Sequence, residues 1–187
     1  MSAPLFILTG PSGAGKSTIM DRLILRPPFA FERLVTLTTR QPRLGEVDGR
    51  DYWFVSREAF ERDIQAGNFF EWAEVYGHYF GSSKRELQRL QFGDKPIILV
   101  LDVQGAMTIK RTYPGSYVIF IDAPRENLLV RTSKRSQSAA ETERRIQRIE
   151  AEETFKAESD VVIMNKDGDL ESAIQRTVEE IKARLGK

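Results

Sequence analysis

The sequence predicts an α/β fold: a mostly parallel sheet with helices on both faces, an inserted mixed α+β subdomain and a helical flap. Three observations carry this. Short apolar runs alternate with helical patterns along much of the chain, which is the signature of a parallel sheet built through right-handed crossovers. A glycine-rich turn, Gly10-Pro11-Ser12-Gly13, joins the first apolar run to the first helical pattern. The stretch from Leu34 to Ser83 breaks the alternation with short segments and turns.

The elements follow in order. Leu5-Phe6-Ile7-Leu8 is a short apolar run suited to a buried strand, and Ile19, Met20, Leu23 and Ile24 recur at helical spacing from Ser17 onward until Pro27-Pro28 ends the run. The insertion contains the turns Val47-Asp48-Gly49 and Tyr76-Gly77-His78, and a helix over Arg57 to Ala66 between a Ser56 cap and Gly67. Ile97 to Val103, Tyr117 to Ile121 and the shorter Val161 to Met164 read as further buried strands. Helical patterns cover Ala106 to Arg111 and Asn127 to Arg135. Leu170, Ile174, Val178, Ile181 and Leu185 form one apolar stripe on a closing helix. Ser133 to Arg148 is charged and lacks a core stripe in its first half, which suits a mobile flap.

Composition narrows the function. A chain of 187 residues suits one domain, and 41% hydrophobic residues are enough for a core. Lys and Arg number 28 against 27 Asp and Glu, so no global charge draws the chain to nucleic acid or a membrane surface, and any basic site is local. The absence of cysteine removes disulfides, thiolate metal sites and cysteine nucleophiles, and the single His78 removes a multi-histidine site. No apolar run approaches the ~20 residues of a membrane span, and Leu5 to Leu8 lacks the flank of a signal peptide. The expectation is a soluble cytoplasmic protein, with no obligate protein partner implied.

Gly10-Pro11-Ser12-Gly13-Ala14-Gly15-Lys16-Ser17 matches G-x-x-x-x-G-K-[ST] in full, between a predicted strand and a predicted helix. Glycines let backbone N–H groups converge on phosphate oxygens, the helix N-terminus adds positive potential, Lys16 reaches the outer phosphates and the Ser17 hydroxyl ligates Mg2+. The alternative, a glycine-rich turn with a capping serine, leaves the complete motif unexplained. Hydrolases, switches, transporters and kinases share this loop, so the acceptor has to be sought elsewhere.

Thr36-Leu37-Thr38-Thr39-Arg40-Gln41-Pro42-Arg43 precedes Gly45-Glu46-Val47-Asp48-Gly49-Arg50-Asp51-Tyr52. Two arginines three apart on a loop shaped by Pro42 and Gly45 can fork onto one phosphate, and Tyr52 can add a hydroxyl; a solvated basic loop fits the same residues. With these segments, Phe70-Glu71-Trp72-Ala73, Gly77-His78-Tyr79-Phe80-Gly81-Ser82 and Leu101-Asp102-Val103-Gln104-Gly105, the sequence resembles the guanylate kinase family over essentially the whole chain.

The resemblance implies a P-loop nucleoside-monophosphate kinase-like enzyme in three parts: a core over 1–33, 87–124 and 151–187, a GMP-binding subdomain over 34–86 and a lid over 125–150. It implies transfer of the γ-phosphoryl of ATP to GMP, with dGMP as a further acceptor and Mg2+ as cofactor. Arg40, Arg43 and Tyr52 are then expected to hold the GMP phosphate, while Thr36, Glu71, Ser82 and Asp102 address the guanine. Residues Gly10 to Ser17, Thr18, Arg131 and Asn165 are expected on ATP, and Lys16, Arg135 and Arg145 on the transferring phosphoryl, with Arg148 as a competing clamp. Guanine presents N1–H and its amine side by side, a pair of donors that one carboxylate accepts together, whereas adenine presents an acceptor at N1. Asp102 ends a buried run, where a carboxylate needs a partner: the base amine, Lys16 or magnesium-bound water. Capping of the following helix is its alternative role.

Several positions depart from the family pattern. Phe80 replaces a second phosphate-binding tyrosine, and Val100 replaces an acidic residue two before Asp102. Lys134-Arg135-Ser136-Gln137 lacks a glycine after the arginine, and Asn165-Lys166-Asp167 replaces a more acidic run. Two other functions compete with phosphotransfer to GMP. A catalytically inactive scaffold binding phosphopeptides is expected to carry a degraded loop, and a kinase acting on a sugar phosphate leaves Glu71 without a task.

Overall fold

The computed structural model describes residues 3–26, 30–133 and 139–186, without the side chains of 139–141 and 145. Five parallel strands form the central sheet: β1 (Leu5–Thr9), β2 (Glu32–Arg33), β7 (Ile97–Val100), β8 (Tyr117–Asp122) and β9 (Val161–Met164), in the order β2-β7-β1-β8-β9. β1 is apolar apart from Thr9 and buried throughout because helices cover both faces of the sheet. On one face, Phe6, Leu8, Ile98, Ile119 and Ile121 pack with Ile19 and Leu23 of α1 (Lys16–Ile24) and Ile174 and Ile181 of α7 (Leu170–Leu185). On the other, Ile7, Leu99, Val118 and Phe120 meet Leu87 and Leu90 of α3 (Lys84–Gln91) and Met107 and Ile109 of α4 (Val103–Thr112). Successive strand residues feed opposite layers, as the two-residue pleat requires.

A second sheet orders β3 (Leu37–Thr38), β4 (Trp53–Phe54), β5 (Phe69–Val75) and β6 (His78–Ser83) as β4-β3-β6-β5. It is mixed: β3 and β4 run parallel, and the other pairs antiparallel. The β5–β6 hairpin turns on Tyr76 and Gly77, both left-handed at φ 53° and 78°, a combination that matches the twist of a two-residue hairpin. α2 (Arg57–Gln65) starts where the Ser56 hydroxyl accepts the Ala59 N–H, and its Phe60 ring stacks on Phe69 at 4.2 Å and on Tyr79 at 5.2 Å. α5 (Arg125–Ser133) and α6 (Ala139–Glu153) complete the fold; α6 turns Ile149 into the core and leaves much of its length charged.

The parallel sheet, the mixed insertion and both terminal helices match the expectations. One boundary and one element differ. The apolar run from Ile97 to Val103 holds two elements, since the strand stops at Val100 and Val103 opens α4, whose start Asp102 caps by accepting the Gly105 N–H at 2.8 Å. α3 stands where no helix was expected: only Leu87 and Leu90 mark its buried face, too few to announce a period. Pro27-Pro28 and residues 134–137 lie outside the described residues.

Candidate active site

A cleft of ≈ 820 Å³ opens between the glycine-rich loop and the second sheet. The loop leaves the carboxyl end of β1 and turns into α1, the place where open parallel sheets take ligands. Gly15, at φ 96°, stands before the first turn of α1, and a Cβ there would sit 2.4 Å from Asn165 Nδ2, so only glycine fits. Asn165 itself is buried and donates to the Ala14 carbonyl at 2.8 Å, fixing the loop from beneath. Arg131 donates to the Gly13 carbonyl at 2.8 Å and pairs with Asp167. Lys16 Nζ donates to the Gly10 and Pro11 carbonyls at 2.5 and 2.9 Å, which folds the ammonium over the loop. Gly10, Ser12, Gly13, Gly15, Lys16, Ser17 and Thr18 line the cleft; Pro11 and Ala14 do not.

Across the cleft stand Thr36, Arg40, Arg43, Tyr52, Glu71, Phe80 and Asp102. Glu46, which sequence reasoning left without a role, organises the arginine loop. Its Oε1 accepts Arg40 Nη2 at 2.8 Å and its Oε2 accepts the Arg43 N–H at 2.7 Å. The Arg40 guanidinium also lies over the Tyr52 ring at 5.5 Å, and Tyr52 meets Phe80 edge-on at 5.8 Å. Burial pushes the Tyr52 phenol up, so the hydroxyl stays a donor at neutral pH. Tyr79 faces the other side of the sheet, where its hydroxyl accepts from Arg57 Nη2 at 2.8 Å. That is the side expected for the neighbour of Phe80.

Glu71 is buried at 5% exposure, and its Oε1 accepts the Ser82 hydroxyl at 2.6 Å. Ser82 lies behind it as support, off the cleft wall. Burial, and next the Asp102 charge, push the Glu71 carboxyl up to about 7 against the opposing Ser82 hydrogen bonds. Gly105 gives Glu71 room: a Cβ there would meet Oε2 at 2.5 Å.

Asp102 has partners within the fold itself. Oδ1 accepts the Gly105 N–H, as the capping alternative requires, and Oδ2 accepts Arg148 Nη2 at 2.8 Å. Arg148 also donates through Nε to Glu152 Oε1 at 2.9 Å. Arg144 and Glu152 bring α6 to the cleft wall. Arg135 and the Arg145 side chain lie outside the described residues.

The family model described as guanylate kinase matches residues 2–184. The chain belongs to the guanylate kinase family. Guanylate kinase from Chlamydia caviae is 38% identical over 165 residues, 87% of this chain and 80% of that protein. The enzyme from Caldanaerobacter subterraneus subsp. tengcongensis is 40% identical over 182 residues, 96% and 84% of the two chains. The crystal structure of guanylate kinase from Anaplasma phagocytophilum superposes with a TM-score of 0.80 at 28% identity, covering 100% of this chain and 88% of that one. No helix among the described residues is long and apolar enough to cross a membrane. Within this guanylate kinase fold the glycine-rich loop and the Glu71 pocket open into a single cleft.

Proposed function

We propose that the protein transfers the γ-phosphoryl of ATP to GMP, giving ADP and GDP, in the cytoplasm. The observation that carries this is the buried Glu71 carboxylate in the same cleft as a complete phosphate-binding loop. An acceptor without paired donors would leave that carboxylate desolvated for nothing. Guanine supplies N1–H and the 2-amine together; Thr36 and Asp102 stand beside Glu71 to complete the pocket, with Ser82 behind it.

Arg40, Arg43 and Tyr52 form the acceptor-phosphate side, pre-set by Glu46. A GMP phosphate oxygen attacks the γ-phosphorus, the bond to the β–γ bridging oxygen breaks, and ADP leaves with that electron pair. The attacking phosphate is already anionic near neutral pH, so positioning and charge neutralisation carry the step rather than a strong base. Lys16, now on two loop carbonyls, turns to the β and γ oxygens of ATP. Arg131 and Asn165 keep the loop shaped for them. The Arg145 and Arg135 guanidiniums approach the transferring group as α5 and α6 close as a lid, excluding water.

Hard oxygen donors line the cleft at Ser17, Asp102 and Glu152, and among the described residues no three carboxylate, histidine or cysteine side chains converge into a cage. That set fits a magnesium ion carried on nucleotide phosphates and held by the Ser17 hydroxyl. When bound, the ion supplies charge neutralisation at the phosphates.

A coupled ADP-release assay run with ATP and magnesium, with and without GMP, tests the activity. ADP release that depends on GMP is the expected result. Release indifferent to GMP would point to an ATPase and overturn the reading.

A further inference from the structure

Arg148 makes contacts that neither the family resemblance nor the phosphotransfer reading assigns. It sits near the carboxyl end of α6, with its side chain 19% exposed. Its guanidinium reaches three separate pieces of the fold. Nη2 donates to Asp102 Oδ2 at the corner between β7 and α4, 2.8 Å away. Nε donates to Glu152 Oε1 one turn further along α6, at 2.9 Å. The plane lies over the Tyr76 ring, 5.3 Å from its centre, at the tip of the β5–β6 hairpin. Asp102 and Glu152 are themselves only 16% and 11% exposed as side chains, so these pairs are largely shielded from solvent screening.

We propose that Arg148 is a positioning residue that couples acceptor binding to the seating of α6 over the phosphate loop. The inference rests on GMP being the acceptor. Asp102 has both oxygens fixed, one by the Gly105 N–H and one by Arg148, so a base donor entering the cleft meets a carboxylate already oriented by α6. The far end of the chain of contacts is Glu152. Its Oε2 is buried without a hydrogen-bond partner among the described residues, and it lines the cleft together with Lys16. Asp102, Arg148 and Glu152 thus run from the acceptor pocket to the lysine of the phosphate loop.

A bound acceptor that holds Asp102 and the Tyr76 hairpin in place also holds the surface on which Arg148 rests. By linkage, a donor nucleotide that draws α6 inward strengthens the acceptor site by the same factor. Lysine cannot substitute fully, since a point charge does not span two carboxylates and stack on a ring at once.

The test is calorimetric titration of GMP with and without a saturating non-hydrolysable ATP analogue and magnesium, on wild type, Arg148→Met, Arg148→Lys and Tyr76→Asn. Asparagine tolerates the left-handed backbone at position 76, so that variant keeps the turn and loses only the ring. In wild type the analogue should tighten GMP about fivefold or more, the usual lower range of such coupling. Arg148→Met should bring the ratio close to one, with Arg148→Lys and Tyr76→Asn between. An unchanged ratio in Arg148→Met overturns the proposal. If that variant does not fold, an unchanged ratio in Tyr76→Asn overturns it instead. The two readings separate cleanly: wild type that binds no GMP sinks the phosphotransfer reading, whereas GMP binding indifferent to the analogue sinks only the coupling.

Discussion

Burial raises the Glu71 carboxyl to about 7 and the Asp102 charge adds to the shift, while the Ser82 hydroxyl and N–H work the other way. The free pocket therefore holds a proton below that value, whereas recognition of two guanine donors needs the carboxylate. GMP affinity should rise with pH up to about 7 and level off above it, with Glu71→Gln losing this component. Identical pH profiles for the two proteins in GMP titrations would contradict the assignment. Stability follows the opposite course. The folded state binds the proton more tightly than the unfolded chain, whose value is near 4.5, so stability falls as pH rises from there to about 7 and is then constant. Urea unfolding at pH 5 and pH 8 should show Glu71→Gln gaining on wild type at the higher pH, by on the order of 3 kcal/mol. Phe80 is the second residue-level test. It lines the cleft against Tyr52 without a hydroxyl, and Tyr79 is turned away onto Arg57. Phe80→Tyr should add a bond to the acceptor phosphate and tighten GMP roughly 10- to 100-fold, while Tyr79→Phe leaves it unchanged. The reverse pattern in a GMP titration would show that Tyr79 supplies the bond.

At the scale of elements, the loop between β1 and α1 stands apart from the acceptor wall of the cleft. Lys16→Ala should abolish phosphoryl transfer while GMP still binds, because the lysine belongs to the loop and the acceptor residues stand across the cleft. Near-full turnover in a coupled assay would remove the loop from the mechanism. On α6, Arg145→Ala should lower kcat more than it raises the GMP KM, since a clamp on the transferring group acts mainly in the transition state. A larger kcat loss from Arg148→Ala would move the clamp by about a turn. How legible each element was depended on where its information lies. β9 and α7 carry their own period, and Ser56 and Gly67 bracket α2 as capping chemistry demands. β2, β3 and β4 are two residues each and exist only through pairing with distant strands, which no local pattern encodes. The same holds for the 46-residue separation between Arg148 and Asp102, invisible until the chain is folded.

The whole molecule places a complete phosphate-binding loop and the buried Glu71 carboxylate on two sheets that share one cleft. The loop was legible because its spacing is a local geometric requirement. Arg40, Arg43, Tyr52 and Glu71, which line the same cleft, were assigned to the acceptor only through the family resemblance, because short polar segments of this kind also suit a solvated loop. The supports were not legible: Glu46 bridging Arg40 and Arg43, and Glu152 holding Arg148 at the cleft wall, draw their meaning from neighbours that only the fold supplies. Specificity is the property in which these parts must all agree. The most direct measurement is the rate of ADP formation from ATP with GMP, IMP and AMP as acceptors, in wild type and Glu71→Ala. Wild type should prefer GMP, with IMP weaker for want of the 2-amine and AMP weakest, and Glu71→Ala should lose ~2 to 4 kcal/mol of the GMP over AMP preference. An unchanged GMP to AMP ratio in Glu71→Ala, or wild type that accepts AMP as readily as GMP, would contradict the account.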